Sequence, residues 1–169
     1  RRVDLFRIGR SALAARRALN APMTSTFSVR RARPEDAADI ARLSAQLDPD
    51  LDPATIAQRF TRLVERPTHA FFVLEMSNRI VGFSAAEHRS LLQFGERVEL
   101  IAMVVDADLQ RQGGGGALVA ATEAWAARRG VEDMVVRSSL SRDASHPFYR
   151  HIGYTHHKTQ HVYTRSLTP

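Results

Sequence analysis

The sequence predicts an α+β fold with the element order β-α-α-β-β-β-α-β-α-β. Three observations predict it. The runs Ala70 to Glu75 and Ile80 to Glu87 are joined by Ser77-Asn78-Arg79, as in an antiparallel hairpin. A third apolar run, Arg97 to Val105, leads through a glycine-rich loop into the alanine-rich tract Ala117 to Ala127. Between residues 37 and 65, apolar side chains recur at helical rather than strand spacing.

Taken in order, Phe27 to Ala32 alternates and is the first strand. Arg33-Pro34-Glu35-Asp36 ends it and opens a helix, with proline and acids in the first turn. Ala37, Ile40, Ala41, Leu43, Ser44 and Leu47 then share one face. Asp48 to Pro53 is a turn, and a second helix runs from about Ala54 to Glu65 with Ile56, Phe60 and Leu63 inward. A loop near Gln93-Phe94-Gly95 follows the hairpin. The glycine-loop helix packs on the sheet through Trp125 and the stripe Ala120, Ala121 and Ala124, and Gly130 stops it. Asp133 to Ser138 is a strand, Ser145 to His151 a short helix, and Gly153 begins the last strands, through Val162. Phe71, Phe72 and Phe83 belong to the core rather than to a base-stacking platform, because no basic residues interleave them.

Composition narrows the class. An apolar fraction of 44% over 169 residues supports one domain with a sizeable core. No apolar run approaches the ~18–20 residues of a membrane span. The absence of cysteine excludes disulfides, cysteine-based metal sites and a cysteine nucleophile. The expected localisation is cytoplasmic. The net charge of +6 suggests nucleic acid until it is located: six arginines against Asp4 put +5 on residues 1–22 and leave +1 for the rest. Residues 1–24 are therefore set apart from a domain over residues 25–169. Ser11 to Leu19 has the pattern of a short amphipathic helix, and Met23-Thr24-Ser25 reads as an ordinary start. The extension is an added leader or mis-assigned start, an arm that docks on the body or a partner, or a targeting peptide.

Gly113, Gly114, Gly115 and Gly116 between a strand and a helix need a reason, since each glycine costs roughly 0.5–1 kcal/mol relative to alanine. An anion supplies one. Backbone without Cβ approaches a ligand closely, and the first N–H groups of a helix lack intrahelical partners. A nucleotide-triphosphatase loop needs a lysine after the glycines, and none follows. A dinucleotide fingerprint needs a third glycine where Leu118 or Val119 stands. The pattern Gln/Arg-x-x-Gly-x-Gly/Ala fits, through Gln110, Gly113 and Gly115.

That loop, between Val104-Val105-Asp106 and Ala117-Leu118-Val119, resembles the acyl-CoA signature of the GCN5-related N-acetyltransferase (GNAT) superfamily. A second segment agrees with it. Phe148, Tyr149, Gly153 and Tyr154 match the family's Phe-Tyr-x-x-x-Gly-Phe/Tyr, while Arg142 replaces a common asparagine and Ser145 a common alanine. The resemblance covers essentially residues 25–167. It implies the acyl-CoA N-acyltransferase fold: a mixed, mostly antiparallel sheet with helices on both faces, whose parallel fourth and fifth strands splay to admit the pantetheine arm. It also implies acetyl-CoA as acyl-donor substrate, with no metal. Met103, Val104 and Val105 are expected to line the pantetheine, Met103 and Val105 through backbone groups. Gln110, Arg111, Gln112, Gly113 to Gly116 and Ala117 form the phosphate cradle, joined at the pantetheine by Arg142 and Phe148. For Arg111 a phosphate contact and a solvent-facing side chain remain equal alternatives.

Amide formation from an amine and a thioester needs a neutral amine, a polarised carbonyl and help for the departing thiolate. The resemblance places Tyr149 near the sulfur as proton donor; the alternative is a core tyrosine bonded to a backbone carbonyl. Glu99 is the candidate base. Period-two alternation puts residues 99, 101, 103 and 105 on one face, and a carboxylate in an apolar strand needs a cavity or a partner. Its alternative role is an ion pair with Arg89 or Arg137. Five of the seven histidines lie between His146 and His161, but their spacing suits surface positions better than metal ligation.

The expected activity is acetyl transfer to a primary amine of a small molecule, by direct attack in a ternary complex. A small-molecule acceptor, no nucleic-acid or membrane partner and a possible homodimer complete the expectation. A protein N-terminal or lysine acetyltransferase is the rival enzyme. A non-catalytic acetyl-CoA sensor is the rival of another class, and thiol release with a panel of amines separates it from both.

Overall fold

The computed structural model describes residues 27–167, so the extension expected over residues 1–24, with its helix from Ser11 to Leu19, lies outside the described residues. Strand β1 (Ser28–Arg31) leads through a 3₁₀ turn (Pro34–Asp36) to α1 (Ala37–Ser44) and α2 (Pro53–Leu63). Then come β2 (His69–Met76), β3 (Arg79–Leu91) and β4 (Gly95–Val105), a second 3₁₀ turn (Ala107–Leu109), and α3 (Gly114–Ala127). The short β5 (Met134–Val136) and α4 (Ser145–His151) complete the elements.

The five strands lie in chain order across one sheet. All neighbours are antiparallel except β4 and β5, which are parallel. The β2–β3 turn works because Ser77 (φ 50°) and Asn78 (φ 60°) both adopt the left-handed conformation that a two-residue hairpin requires. Asp52 caps α2 by accepting from Thr55 N–H at 2.8 Å. At the start of α1, the Asp36 carboxylate accepts from Arg30 Nη1 at 2.8 Å, Arg30 Nη2 at 2.9 Å and Arg33 N–H at 2.8 Å. The Arg30 hydrogen bonds hold that carboxyl below its ordinary range.

Two apolar layers sandwich the sheet. Ile40, Leu43, Phe60 and Val64 of the α1–α2 side pack on Phe71, Val73, Phe83, Ala85 and Val104. On the other face Leu118, Trp125 and Ala126 of α3 pack on Ala70, Phe72, Leu74, Val81 and Val98. The three core phenylalanines are buried as expected. Of the alanine stripe only Ala121 packs on the core, while Ala120 and Ala124 are exposed. The buried face of α3 runs through Leu118, Thr122, Trp125 and Ala126, which centre on a bulkier side of the helix. Thr122 and Ser84, both fully buried, share a 3.1 Å hydroxyl contact between helix and sheet.

Two further sequence expectations need correction. The strands expected from Gly153 through Val162 are absent; residues 154–167 belong to no regular element. With Val162 at 83% and Tyr163 at 89% exposure, this run buries no face that would hold it to the sheet. The second correction concerns β4. Ala86 pairs with Leu100 and Ala85 with Ala102, leaving Ile101 as a bulge. The extra residue reverses the alternation: Glu99 shares the α1–α2 face with Ala102 and Val104, while Met103 and Val105 face α3. Residues 99 and 103 therefore lie on opposite faces. The bulge also follows immediately on the last β4–β5 pair, Leu100 with Val136, so the two parallel strands separate there.

Candidate active site

The end of β4 beyond the bulge is one wall of the site. Asp106 N–H donates to the Val81 carbonyl at 2.8 Å. Antiparallel alternation then turns Val104 toward β3 and leaves the main-chain groups of Met103 and Val105 facing the gap that β5 has vacated. Of the three residues named from the sequence, Met103 and Val105 thus present backbone to the gap, and Val104 does not; its side chain is buried in the α1–α2 core.

The glycine loop is the second wall. Gln110 Nε2 donates to the Val105 carbonyl at 3.4 Å, fastening the loop to the strand. Arg111 (φ 62°) and Gly113 (φ 90°) are left-handed, and this curls the chain into α3. Ala117 N–H donates to the Gly113 carbonyl at 3.1 Å, the first bond of the helix. The N–H groups of Gly114, Gly115 and Gly116 precede it and have no intrahelical acceptor. The four glycines divide their labour. A Cβ on Gly113 or Gly116 would meet nothing within 4 Å, whereas one on Gly114 would come to 2.5 Å of Leu74 Cδ2. Gly114 is there for the sheet; Gly113 and Gly116 leave the open space that a diphosphate needs. Arg111 and Gln112 are exposed beside it.

Helix α4 closes the site. A Cβ on Gly115 would lie 3.3 Å from Phe148 Cζ and 3.7 Å from Met103 Cε, so α4 and the end of β4 both reach the glycine loop at this residue. Tyr149 stacks edge-on against Phe148 and Tyr154, with centroids 5.1 and 5.8 Å away. The Tyr154 hydroxyl donates to Glu123 Oε1 at 2.9 Å and ties α4 to α3. The Tyr149 hydroxyl makes no hydrogen bond among the described residues, so the carbonyl-bonded alternative is not the arrangement seen. Burial pushes its pKa up, against a smaller downward pull from Arg142. Arg142 itself donates to the Leu47 carbonyl at 3.4 Å, and its own carbonyl accepts from Ser145 N–H at 2.9 Å and Oγ at 2.8 Å. The two departures from the family pattern thus brace the turn into α4.

Glu99 is 9% exposed, and both its oxygens are engaged. Arg89 Nη1 donates to Oε2 at 2.7 Å, and Arg137 Nε to Oε1 at 2.8 Å. Both arginines named as alternative partners bind it at once. His146 Nε2 lies 3.0 Å from the Ser139 carbonyl. No group of three metal-ligating side chains occurs among the described residues, and no helix there is long and apolar enough to cross a membrane.

A mixed sheet opened beyond a bulge, with a glycine-initiated helix and an aromatic pair at the opening, defines an acyl-CoA N-acyltransferase architecture. The chain belongs to the acetyltransferase (GNAT) family, whose sequence profile matches residues 35–154. It is accordingly an acetyl-CoA-dependent acetyltransferase. Its fold is similar to that of the aminoglycoside N-acetyltransferase AAC(6')-Iy in complex with CoA (TM-score 0.78, 19% identity, 86% of this chain and 98% of that one). It is similar also to AAC(6')-Ih from Acinetobacter baumannii (TM-score 0.74, 17% identity, 85% and 100%). A third neighbour is the aminoglycoside acetyltransferase meta-AAC0020 from an uncultured soil metagenomic sample, in complex with sisomicin (TM-score 0.72, 20% identity, 84% and 97%). No match is found among curated protein sequences.

Proposed function

We propose that the protein acetylates a primary amine of a small molecule by direct attack on acetyl-CoA in a ternary complex, working in the cytoplasm. The observation that carries the reading is that the Phe148 ring and the Met103 side chain both lie against Gly115, at the start of α3. In this reading Tyr149, packed edge-on against Phe148, stands where a thioester entering from the glycine loop presents its sulfur. Structural neighbours named as aminoglycoside acetyltransferases support the acceptor class.

In this reading the amine nitrogen attacks the thioester carbonyl, and main-chain groups of Met103 and Val105 hold the pantetheine arm. The C–N bond forms and the C–S bond breaks; Tyr149 hydrogen-bonds the departing thiolate, and the second proton that the nitrogen sheds passes through solvent to make the free thiol. Because both Glu99 oxygens already accept from arginines, the ammonium proton reaches Glu99 through a water. No cysteine is present to form an acyl-enzyme.

Steady-state CoA release with a panel of small amines tests the activity, and a protein that binds acetyl-CoA yet releases no thiol with any of them is a sensor instead. Glu99→Gln is expected to move the turnover profile toward higher pH, since more of the amine must then lose its proton to solvent before binding. An unmoved profile would assign Glu99 to holding Arg89 and Arg137 alone.

A further inference from the structure

Beyond the acetyl-transfer site, the β3–β4 hairpin carries a cavity of about 360 Å³, lined by Arg89, Arg97 and Arg137 with Leu91 and Phe94. Three arginines line one space. Glu99 serves two of them, and Glu87 approaches only Arg89, at 3.7 Å. Arg97 has no carboxylate within ion-pair distance among the described residues, and its Nε is buried with no hydrogen-bond partner. Its guanidinium is held over the Phe94 ring, 5.4 Å from the centroid. Glu96 offers no relief: alternation places it on the opposite sheet face, where it meets His88 at 2.6 Å. Arg97 is moreover directly opposite Arg89 across the strands, a like-charge pairing that costs stability and that the Arg89 carboxylates relieve on one side only.

We propose that this cavity binds the carboxylate or phosphate of the acceptor, so that the substrate is an amine bearing an anionic group. The inference rests on the small-amine reading above. The Glu99 ion pairs link the cavity to the last β4–β5 pair, and the strands diverge immediately beyond it. From Arg97 to the bulge at Ile101 is four residues, roughly 13 Å of strand, shortened by the reach of the arginine side chain. The acceptor's amine and anion are therefore separated by several methylene lengths. A polycationic acceptor, such as the aminoglycosides for which the structural neighbours are named, meets like charge here.

The experiment compares 6-aminohexanoate with hexylamine and with glycine by CoA release. The longer amino acid is expected to exceed both in kcat/KM by at least about 10-fold, within what one charge-assisted contact supplies. Arg97→Gln is expected to remove that advantage through KM for 6-aminohexanoate while leaving KM for acetyl-CoA unchanged. Arg97→Lys, which keeps the charge without the Nε donor, retains a fraction of it and stands in if the glutamine variant does not fold. Hexylamine used equally well, or an advantage that survives in Arg97→Gln, would overturn the proposal. Should no amine be acetylated, the small-amine reading fails, and calorimetry of 6-acetamidohexanoate with the CoA-loaded protein still decides the cavity. Heat that disappears in Arg97→Gln supports an anion site, and absence of heat in the parent protein sinks it.

Discussion

Tyr149→Phe is expected to lower kcat about 100-fold with little change in KM for acetyl-CoA. The magnitude follows from what the hydroxyl is able to do. Burial raises its pKa above the ordinary tyrosine value, so it is fully protonated at neutral pH. A thiol titrates near 8.5, so complete proton transfer from this tyrosine to the thiolate runs uphill. The hydroxyl therefore acts chiefly by donating a hydrogen bond to sulfur as negative charge gathers on it. A hydrogen bond to a charged group contributes about 1.5–3 kcal/mol, which corresponds to about 10- to 150-fold in rate. Since the hydroxyl bonds to nothing among the described residues, its removal leaves no stranded partner, and the thermal midpoint should hardly move. Stopped-flow or steady-state thiol release measures the effect. Unchanged turnover would show that the sulfur leaves without help from Tyr149.

Local chemistry makes much of this candidate site legible in the sequence. The glycine run, the Ser77-Asn78 turn and the Phe148-Tyr149 pair each carry their reason within a few residues, so their placement survives in the structure. What escaped the sequence depends on pairing across the sheet. Leu100, Ile101 and Ala102 are all apolar, and nothing in such a run discloses that Ile101 is unpaired. Strict alternation then carried Glu99 to the wrong face relative to Met103. The partners of Glu99 were nameable, but only the fold shows that Arg89 and Arg137 bind it together while Arg97, directly opposite Arg89, is left over. At the other end of the chain, the expected strand through Val162 alternates imperfectly, with His156, His157 and Lys158 at its start. A strand of that composition needs a neighbour to supply its buried face, and β5 offers only three residues.

The second large effect separates the two duties of the glycines. In Gly114→Val the added Cβ starts 2.5 Å from Leu74 Cδ2. Leu74 is fully buried between α3 and the sheet, so its methyl group has nowhere to retreat. Overpacking of this kind typically costs about 1–3 kcal/mol, and a β-branched residue sits at the upper end because its χ1 is restricted in a helix. A loss of about 2–3 kcal/mol, or about 5–10 °C in melting temperature, is expected. Gly116→Ala is the counterpart. Its Cβ meets nothing, its φ is not left-handed, and alanine is the better helix former, so the melting temperature should hold or rise slightly. If the N–H groups of the first turn grip a diphosphate, that methyl group intrudes on the ligand alone, and acetyl-CoA affinity should fall while the fold stays intact. Calorimetric unfolding and acetyl-CoA titration on the same two variants read these outcomes separately. Equal melting temperatures for both would show that α3 lifts away from Leu74 at little cost, and undiminished affinity in Gly116→Ala would move the phosphates off this turn.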